Sequence, residues 1–415
     1  MSLALHRAND ARDAADDAAG GNPYADPVSQ VPADFTLLQV TPELETGGAE
    51  QTTIDIARAV VRAGGRALVA SRGGRMAARL KADGGELFVL PAQSKNPLLI
   101  IGNAVRLSRI IREQNVSLIH ARSRAPAISA LIAARATGVP FIATYHGVYR
   151  ATSAIKRAYN SVMTRGPVTI ANSDYTRARV IAEHGIDPDR VIAIPRGVDL
   201  ERFDPARVPP ARIAALAAGW KIAPGDRRVK ILLAGRLTRW KGQQLLIDAA
   251  ARLKAQGRED FLILLAGDDQ GRGSYRAELD AAIRHAGLGD AVRIVGHCND
   301  MPAAYLLADL ACAPSLDPEP FGRTAVEPQL MGRPVLAADH GGARETVIAG
   351  ETGWLVAPGD VEAWARALGA AIDAGPAARA AMGAAGQARA RRLYSAQAMC
   401  EATLSIYASL LEGRA

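Results

Sequence analysis

From Phe35 onward the chain alternates short apolar runs with longer amphipathic stretches. Phe35–Val40, Arg66–Ser71, Leu87–Leu90, Val116–His120, Pro140–Tyr145, Val168–Ala171 and Val191–Ile194 read as strands. Between them lie helical patterns, such as the stretch from about Glu50 to Ala63, where Ile54, Ile56, Ala59 and Val60 supply the apolar positions. Strands that read as continuous apolar runs and alternate with helices predict an α/β fold with a doubly wound parallel sheet.

The alternation pauses over residues 199–228, where Pro205, Pro209, Pro210 and Pro224 cluster around one short helical segment. It resumes at Val229–Ala234, Phe261–Ala266, Val292–Val295, Asp309–Ala313, Pro334–Ala338 and Thr352–Val356, and the chain ends in an alanine-rich helical stretch, Val361–Leu411. The pattern divides the chain into a tail (1–34), a Rossmann-like domain (35–198), a linker (199–228), a second Rossmann-like domain (229–385) and a C-terminal helix (386–415) packing back on the first. Two such domains are expected to face each other across a cleft, beyond the carboxyl ends of their strands.

Composition narrows the class. With 415 residues, 49% of them hydrophobic, the chain can bury more than one core. No apolar run approaches the roughly 20 residues needed to cross a bilayer. The first 34 residues are acidic on balance and lack an apolar stretch, so a disordered tail is expected there rather than a signal peptide. Cys298, Cys312 and Cys400 are odd in number and widely spaced, which argues against a disulfide framework or zinc site and for a cytoplasmic protein. The net charge of +8 is concentrated between residues 35 and 200. Arg72, Arg75, Arg79, Lys81, Arg122, Arg124, Arg150, Lys156 and Arg157 are candidate contacts for an anionic acceptor or the anionic inner-membrane face; solubility alone is the alternative. Nucleic acid is not expected, because aromatics make up only 5% of the chain and no binding motif is present.

Two constellations carry chemistry. In Val229-Lys-Ile-Leu-Leu-Ala-Gly235-Arg236-Leu-Thr-Arg-Trp-Lys241-Gly242 a strand ends, two glycines flank a basic turn and a helix begins near Gln243. Helix-end amides together with Arg236 and Lys241 suit a diphosphate. In Glu319-Pro-Phe-Gly-Arg-Thr-Ala-Val-Glu327 one carboxylate lies in a loop after a strand and the other inside the following helix. The first is placed to hold sugar hydroxyls and the second to reach a ribose. No Gly-x-Gly-x-x-Gly follows a strand and no Walker pattern is present, so a dinucleotide oxidoreductase and an NTPase are disfavoured. Asp187-Pro-Asp189 has the spacing of a metal-binding pair but reads as a turn.

In this order, Gly235-Arg236…Lys241-Gly242, Glu319-Pro-Phe-Gly…Glu327 and Gly341-Gly342-Ala-Arg-Glu345 resemble the signature of glycosyltransferase family 4. Gly47-Gly48 and Ile194-Pro-Arg-Gly-Val-Asp199 match as well. The resemblance implies a GT-B fold and a retaining transfer of a hexose-type sugar from a nucleoside-diphosphate sugar (UDP or GDP) without metal or other cofactor. The acceptor implied is a glycan or lipid-linked hydroxyl, such as a lipopolysaccharide core intermediate. It implies that Arg236 and Lys241 clamp the diphosphate, that Glu319 holds the sugar and Glu327 the ribose, and that Gly235, Phe321 and Gly322 line the donor site. Gly47 and Gly48 let backbone approach the phosphates, His146 faces the cleft from a strand end, and Gly296 and His297 lie near the base. On this reading His146, Arg236, Lys241 and Glu319 act in catalysis. Two positions depart from the family: Arg196 stands where Asn is usual, a change expected to touch only the hinge turn, and Pro328 stands where Ala is common, in what should be the helix's first turn. Two alternatives are a nucleotide-sugar epimerase of the same fold and a non-catalytic membrane-associated scaffold.

Overall fold

The computed structural model describes residues 31–412 apart from 33, 46, 148, 150, 151, 270 and 272. The expected tail therefore lies outside the described residues, except that Val31 is buried in a core with Phe35 and Leu37. Arg150 is outside them too.

The described residues form two compact units, one running to Gly197 and taking up the chain again at Ala396, the other spanning Val198–Ser395. The first unit holds β1 (Thr36–Val40), β2 (Arg66–Ser71), β3 (Glu86–Val89), β4 (Leu118–Ala121), β5 (Phe141–Tyr145), β6 (Thr169–Ala171) and β7 (Val191–Ala193). They pair in the order β3-β2-β1-β4-β5-β6-β7, all parallel. Successive residues of these strands face opposite sides, and both sides are covered. Leu38, Val40, Leu68 and Ile119 meet Leu107 and Ile111 of helix Pro97–Glu113 and the alanines of helix Arg124–Thr137. Leu37, Val69, Ile142 and Ile170 meet Ile54 and Val60 of helix Gly48–Arg62 and Leu404, Tyr407 and Leu410 of helix Ala396–Glu412. Burial on both sides is why these strands read as unbroken apolar runs rather than as alternating ones.

The second unit repeats the scheme with β8 (Val229–Ala234), β9 (Phe261–Ala266), β10 (Val292–Gly296), β11 (Leu310–Ala313), β12 (Val335–Ala338) and β13 (Gly353–Val356). They pair in the order β10-β9-β8-β11-β12-β13, again parallel. The strand order reverses direction between β1 and β4 in one sheet and between β8 and β11 in the other. Such switch points open a crevice at the carboxyl ends of the strands.

Residues 199–228 fold as part of the second unit. Phe203, Val208, Trp220 and Ile222 are buried with Leu232 and Leu264, helix Pro210–Gly219 lies among them, and Arg212 grips both carboxylate oxygens of Asp300 at 2.8 and 2.5 Å. Pro205 and Pro210, with Pro209 just before the latter, start these short helices rather than loosen the chain. At the far end, helix Gly375–Leu393 stays with the second unit, and only Ala396–Glu412 returns to the first.

Candidate functional site

In the second unit, the two motifs converge at the switch point. The loop leaving β8 and the loop leaving β11 lie so close that a Cβ on Gly242 would stand 2.1 Å from the Pro314 carbonyl oxygen, and Gly242 has φ +78°. The Leu316 amide donates to the Trp240 carbonyl at 2.7 Å across the same contact. That approach sets Lys241 against Glu319, with Nζ to Oε1 at 2.7 Å and the side chains only 12% and 13% exposed. Ser315 Oγ donates to the same carboxylate oxygen at 2.5 Å, and His340 Nε2 lies 2.8 Å from the Ser315 carbonyl. Burial raises the Glu319 carboxyl, but the charge and hydrogen bond of Lys241, the Ser315 hydroxyl and His340 together hold it below the usual value. The lysine Nζ also lies 4.5 Å from the centre of the Trp240 ring.

The turn holds two more cations. Arg239 is drawn away to Glu278 at 2.6 Å, whereas Arg236 is exposed at the end of β8 beside Gly235, its carbonyl held by Gln243 Nε2 at 2.9 Å.

Gly342 supports the carboxylate loop. Its amide donates to the Glu319 carbonyl at 2.8 Å, and a Cβ on it would meet Phe321 Cα at 2.5 Å. The Phe321 ring is buried in the core, edge-on to Tyr394 at 5.3 Å, so this residue anchors the loop and offers a ligand only its backbone. Gly322, at φ +84°, turns the chain into helix Arg323–Leu330, whose first turn has no side-chain cap. Thr324 Oγ1, in that first turn, is buried with no hydrogen-bond partner among the described residues. Glu327 lies one turn on, taking hydrogen bonds from Tyr305 Oη and Arg323 Nε, both at 3.2 Å. Pro328 is the sixth residue of this helix rather than part of its first turn, and it leaves the Thr324 carbonyl without its helical amide partner. Gly296 ends β10, two strands from β8, and His297 follows it. His297 is exposed, with Asn299 Oδ1 at 2.9 Å and Asp268 Oδ2 at 3.8 Å, and no hydrogen bond among the described residues ties it to Lys241 or Glu319.

The first unit supplies a separate set. Gly47 caps helix Gly48–Arg62 in extended backbone, and a Cβ there would meet first the flexible Glu50 carboxylate. His146 follows β5. Both its ring nitrogens are buried without a hydrogen-bond partner among the described residues. Burial first, then the charges of Arg196 and Arg122, keep the ring neutral far below the usual histidine value. Arg196 Nη2 donates to the His146 carbonyl at 3.1 Å. The Asn-to-Arg departure thus reaches the candidate site and does not stop at a turn.

Sequence reading missed Ser315, Thr324, Tyr305 and Arg323. Ser315 had the one available signal, a polar residue just past a strand end at the switch point. Asp187 Oδ1 accepts the Asp189 amide at 3.0 Å and caps an exposed turn, which accounts for that pair without a metal. Among the described residues no group of three or more His, Cys, Asp or Glu is placed to hold a metal ion.

Comparison with known proteins gives the family. The family described as Glycosyl transferases group 1 matches residues 219–389, and that described as Glycosyltransferase Family 4 matches residues 46–202. A D-inositol 3-phosphate glycosyltransferase from Salinispora tropica is 34% identical over 274 residues, 61% of this chain and 56% of that protein. One from Xylanimonas cellulosilytica is 33% identical over 298 residues, 68% of this chain and 69% of that protein. The chain spans 56% and 58% of the length of the Salinispora tropica and Kineococcus radiotolerans relatives. Among solved structures, a glycosyltransferase from Rickettsia africae is 31% identical with a TM-score of 0.84, covering 91% of this chain and 99% of its own. HepE of Anabaena, solved with UDP and glucose, is 25% identical with a TM-score of 0.78, covering 90% and 100%. These likenesses show the GT-B class of fold, and with the two family matches they place the chain plainly: it belongs to glycosyltransferase family 4.

Proposed function

We propose that this protein moves a hexose-type sugar from a nucleoside-diphosphate sugar to a hydroxyl of a glycan or lipid-linked acceptor, with retention at the anomeric carbon. The observation that carries the reading is the Lys241–Glu319 pair at the switch point between β8 and β11, flanked by exposed Arg236 and an uncapped helix start. In the free protein the ammonium is satisfied by the carboxylate. When a diphosphate enters, Lys241 turns to it with Arg236, and the freed Glu319 oxygens accept sugar hydroxyls. As the glycosidic bond breaks, negative charge grows on the leaving diphosphate. Cations and helix-start amides already in place stabilise it, and removing one such stabiliser typically costs about 10²–10³ in rate. Glu327 takes the ribose. His146, neutral and with both nitrogens open, is suited to hydrogen-bond a sugar hydroxyl rather than to carry a proton between groups.

UDP is the favoured donor nucleotide, since the Anabaena neighbours were solved with UDP, UDP and glucose, and UDP-glucose. The basic first unit favours an acceptor bearing phosphate. A lipid-linked intermediate such as a lipopolysaccharide core fits that charge, and the names of the relatives give a second reading, a soluble phosphorylated cyclitol. The proposed setting is cytoplasmic. No helix among the described residues is long and apolar enough to cross a membrane.

Thermal-shift titration with UDP and GDP tests the donor, expecting stabilisation by UDP. Incubation with UDP-hexoses and each acceptor class, read by the anomeric proton of the product, tests transfer and retention. Acceptor-independent conversion of one UDP-hexose into another would mark an epimerase. A folded protein that binds neither nucleotide and turns over no donor would be a scaffold.

A further inference from the structure

Between Lys95 and Arg165 the chain carries eleven Lys and Arg residues and a single acid, Glu113. Elsewhere in the first unit the expected acceptor cations are largely neutralised or hidden. Arg72 pairs with Glu43, Arg75 with Glu45 and Arg79 with Asp55; within the stretch itself, among the described residues, only Arg122 is buried, against Gln39. The unbalanced charge therefore belongs to one stretch of the fold.

Helix Pro97–Glu113 lies in that stretch. Its inner face is buried through Ala104, Leu107 and Ile111, but its outer face is apolar as well. Leu98, Ile101 and Val105 stand 79%, 58% and 66% exposed. Their spacing of three and four residues puts them on one stripe, which exposed Arg112 continues toward the helix end beside Arg109, itself paired with Glu113 at 2.6 Å. Ser129 Oγ donates to the Ile100 carbonyl at 2.9 Å, joining helix Arg124–Thr137 to this surface with exposed Ile132 and Arg135. Beyond it opens a pocket of about 310 Å³ floored by Ile128, Leu131 and Val162 and bordered by Arg135 and Arg165. Ile155, 84% exposed, stands next to Lys156 on the adjoining helix Ala154–Asn160.

We propose that this face docks the protein on an anionic lipid bilayer, with Leu98, Ile101, Val105 and Ile155 entering the interface and the surrounding cations meeting lipid phosphates. Contiguous exposed aliphatic side chains mark an interaction surface, and aliphatics ringed by Lys and Arg are the composition of interfacial helices. The alternatives fit less well. Two copies meeting through this face would set cations against cations across a two-fold axis. A single-stranded nucleic acid needs aromatic stacking platforms, which this aliphatic stripe does not offer. The proposal rests on the lipid-linked reading of the acceptor only for its purpose, since docking requires neither donor nor acceptor.

The test is co-sedimentation of the full chain with phosphatidylcholine vesicles, with and without about a third phosphatidylglycerol. Binding to the anionic vesicles alone is expected, weakened at least tenfold in 0.5 M salt. Leu98→Gln with Ile101→Gln and Val105→Gln, and separately Arg106→Glu with Arg135→Glu and Lys156→Glu, should each cut binding at least tenfold. All six side chains are exposed, and the UDP thermal shift measured in parallel should be unchanged, so loss of docking and loss of the donor site are read separately. Equal binding to neutral and anionic vesicles, no binding to either, or binding indifferent to both triple variants overturns the proposal. Self-association abolished by the glutamine triple variant, without vesicle binding, assigns the face to a second copy and overturns it too.

Discussion

At the residue scale the central fact is an ion pair that satisfies itself before any ligand arrives. Glu319 is more acidic than an ordinary glutamate despite its burial, because Lys241, Ser315 and His340 face it. Its carboxylate therefore stays ionised to pH below the usual carboxylate range, and the pair's contribution to stability is lost only as pH falls through that lowered value. Lys241→Ala and Arg236→Ala should each reduce transfer at least tenfold while the protein remains folded. Steady-state rates beside circular dichroism check this, and wild-type turnover in the folded double variant would remove the central claim. With two cations assigned to the leaving diphosphate, transfer should also persist in EDTA. Reversible loss restored by manganese would show that a divalent ion shares that role. Arg236, Lys241, Glu319 and Glu327 stood out in the sequence as charged groups near strand ends, and the structure sets Arg236 and Lys241 just past β8 and Glu319 and Glu327 on the loop and helix that follow β11. Ser315 and Thr324 did not stand out, since a lone hydroxyl has no pattern until two loops are seen to meet.

At the element scale, the strands were legible to within one or two residues because burial on both sides leaves a continuous apolar signature. Residues 199–228 misled, since prolines that begin short packed helices look in sequence like prolines that loosen a connector. Nothing in the spacing revealed that helix Ala396–Glu412 would supply a partner for a strand residue 287 positions earlier: Tyr407 Oη lies 2.6 Å from His120 Nδ1, and Thr144 Oγ1 lies 2.7 Å from His120 Nε2. Burial, and then the charges of Arg122 and His146, hold His120 neutral far below the usual histidine value. The sign follows from that depression. The unfolded chain protonates near pH 6.5 and the native chain does not, so stability is full above that value and is lost as pH falls through it. Tyr407→Phe should cost about 1–3 kcal/mol, the penalty for a buried ring nitrogen left unpartnered. Urea unfolding at pH 7.5 and 5.5 measures both effects. An unchanged midpoint in the variant, or a wild-type midpoint that rises on acidification, would contradict this account.

At the scale of the whole molecule, the chain finishes its first unit last. Met399, Leu404, Ile406, Tyr407 and Leu410 are buried on the same face of the first sheet as Ile54 and Val60. The Gly197 amide also points at Met399 Sδ, 3.2 Å away. Each large apolar side chain fully buried is worth about 1.5–3 kcal/mol, so five of them rival the roughly 5–15 kcal/mol that holds a typical domain together. The first unit is therefore incomplete until residues 396–412 have been made, and its apolar face stays uncovered through synthesis of the entire second unit. A chain ending at Ser395 should keep a folded second unit and lose the first. Hydrogen exchange distinguishes the two: amides of β8, β9 and β11 should stay protected, while those of β1, β4 and β5 should exchange at least a hundredfold faster. Added UDP should still raise the melting temperature of that shortened chain, because Arg236, Lys241, Glu319 and Glu327 all lie between Val198 and Ser395. Equal protection of both sheets in the shortened chain would mean that the C-terminal helix only decorates the first unit.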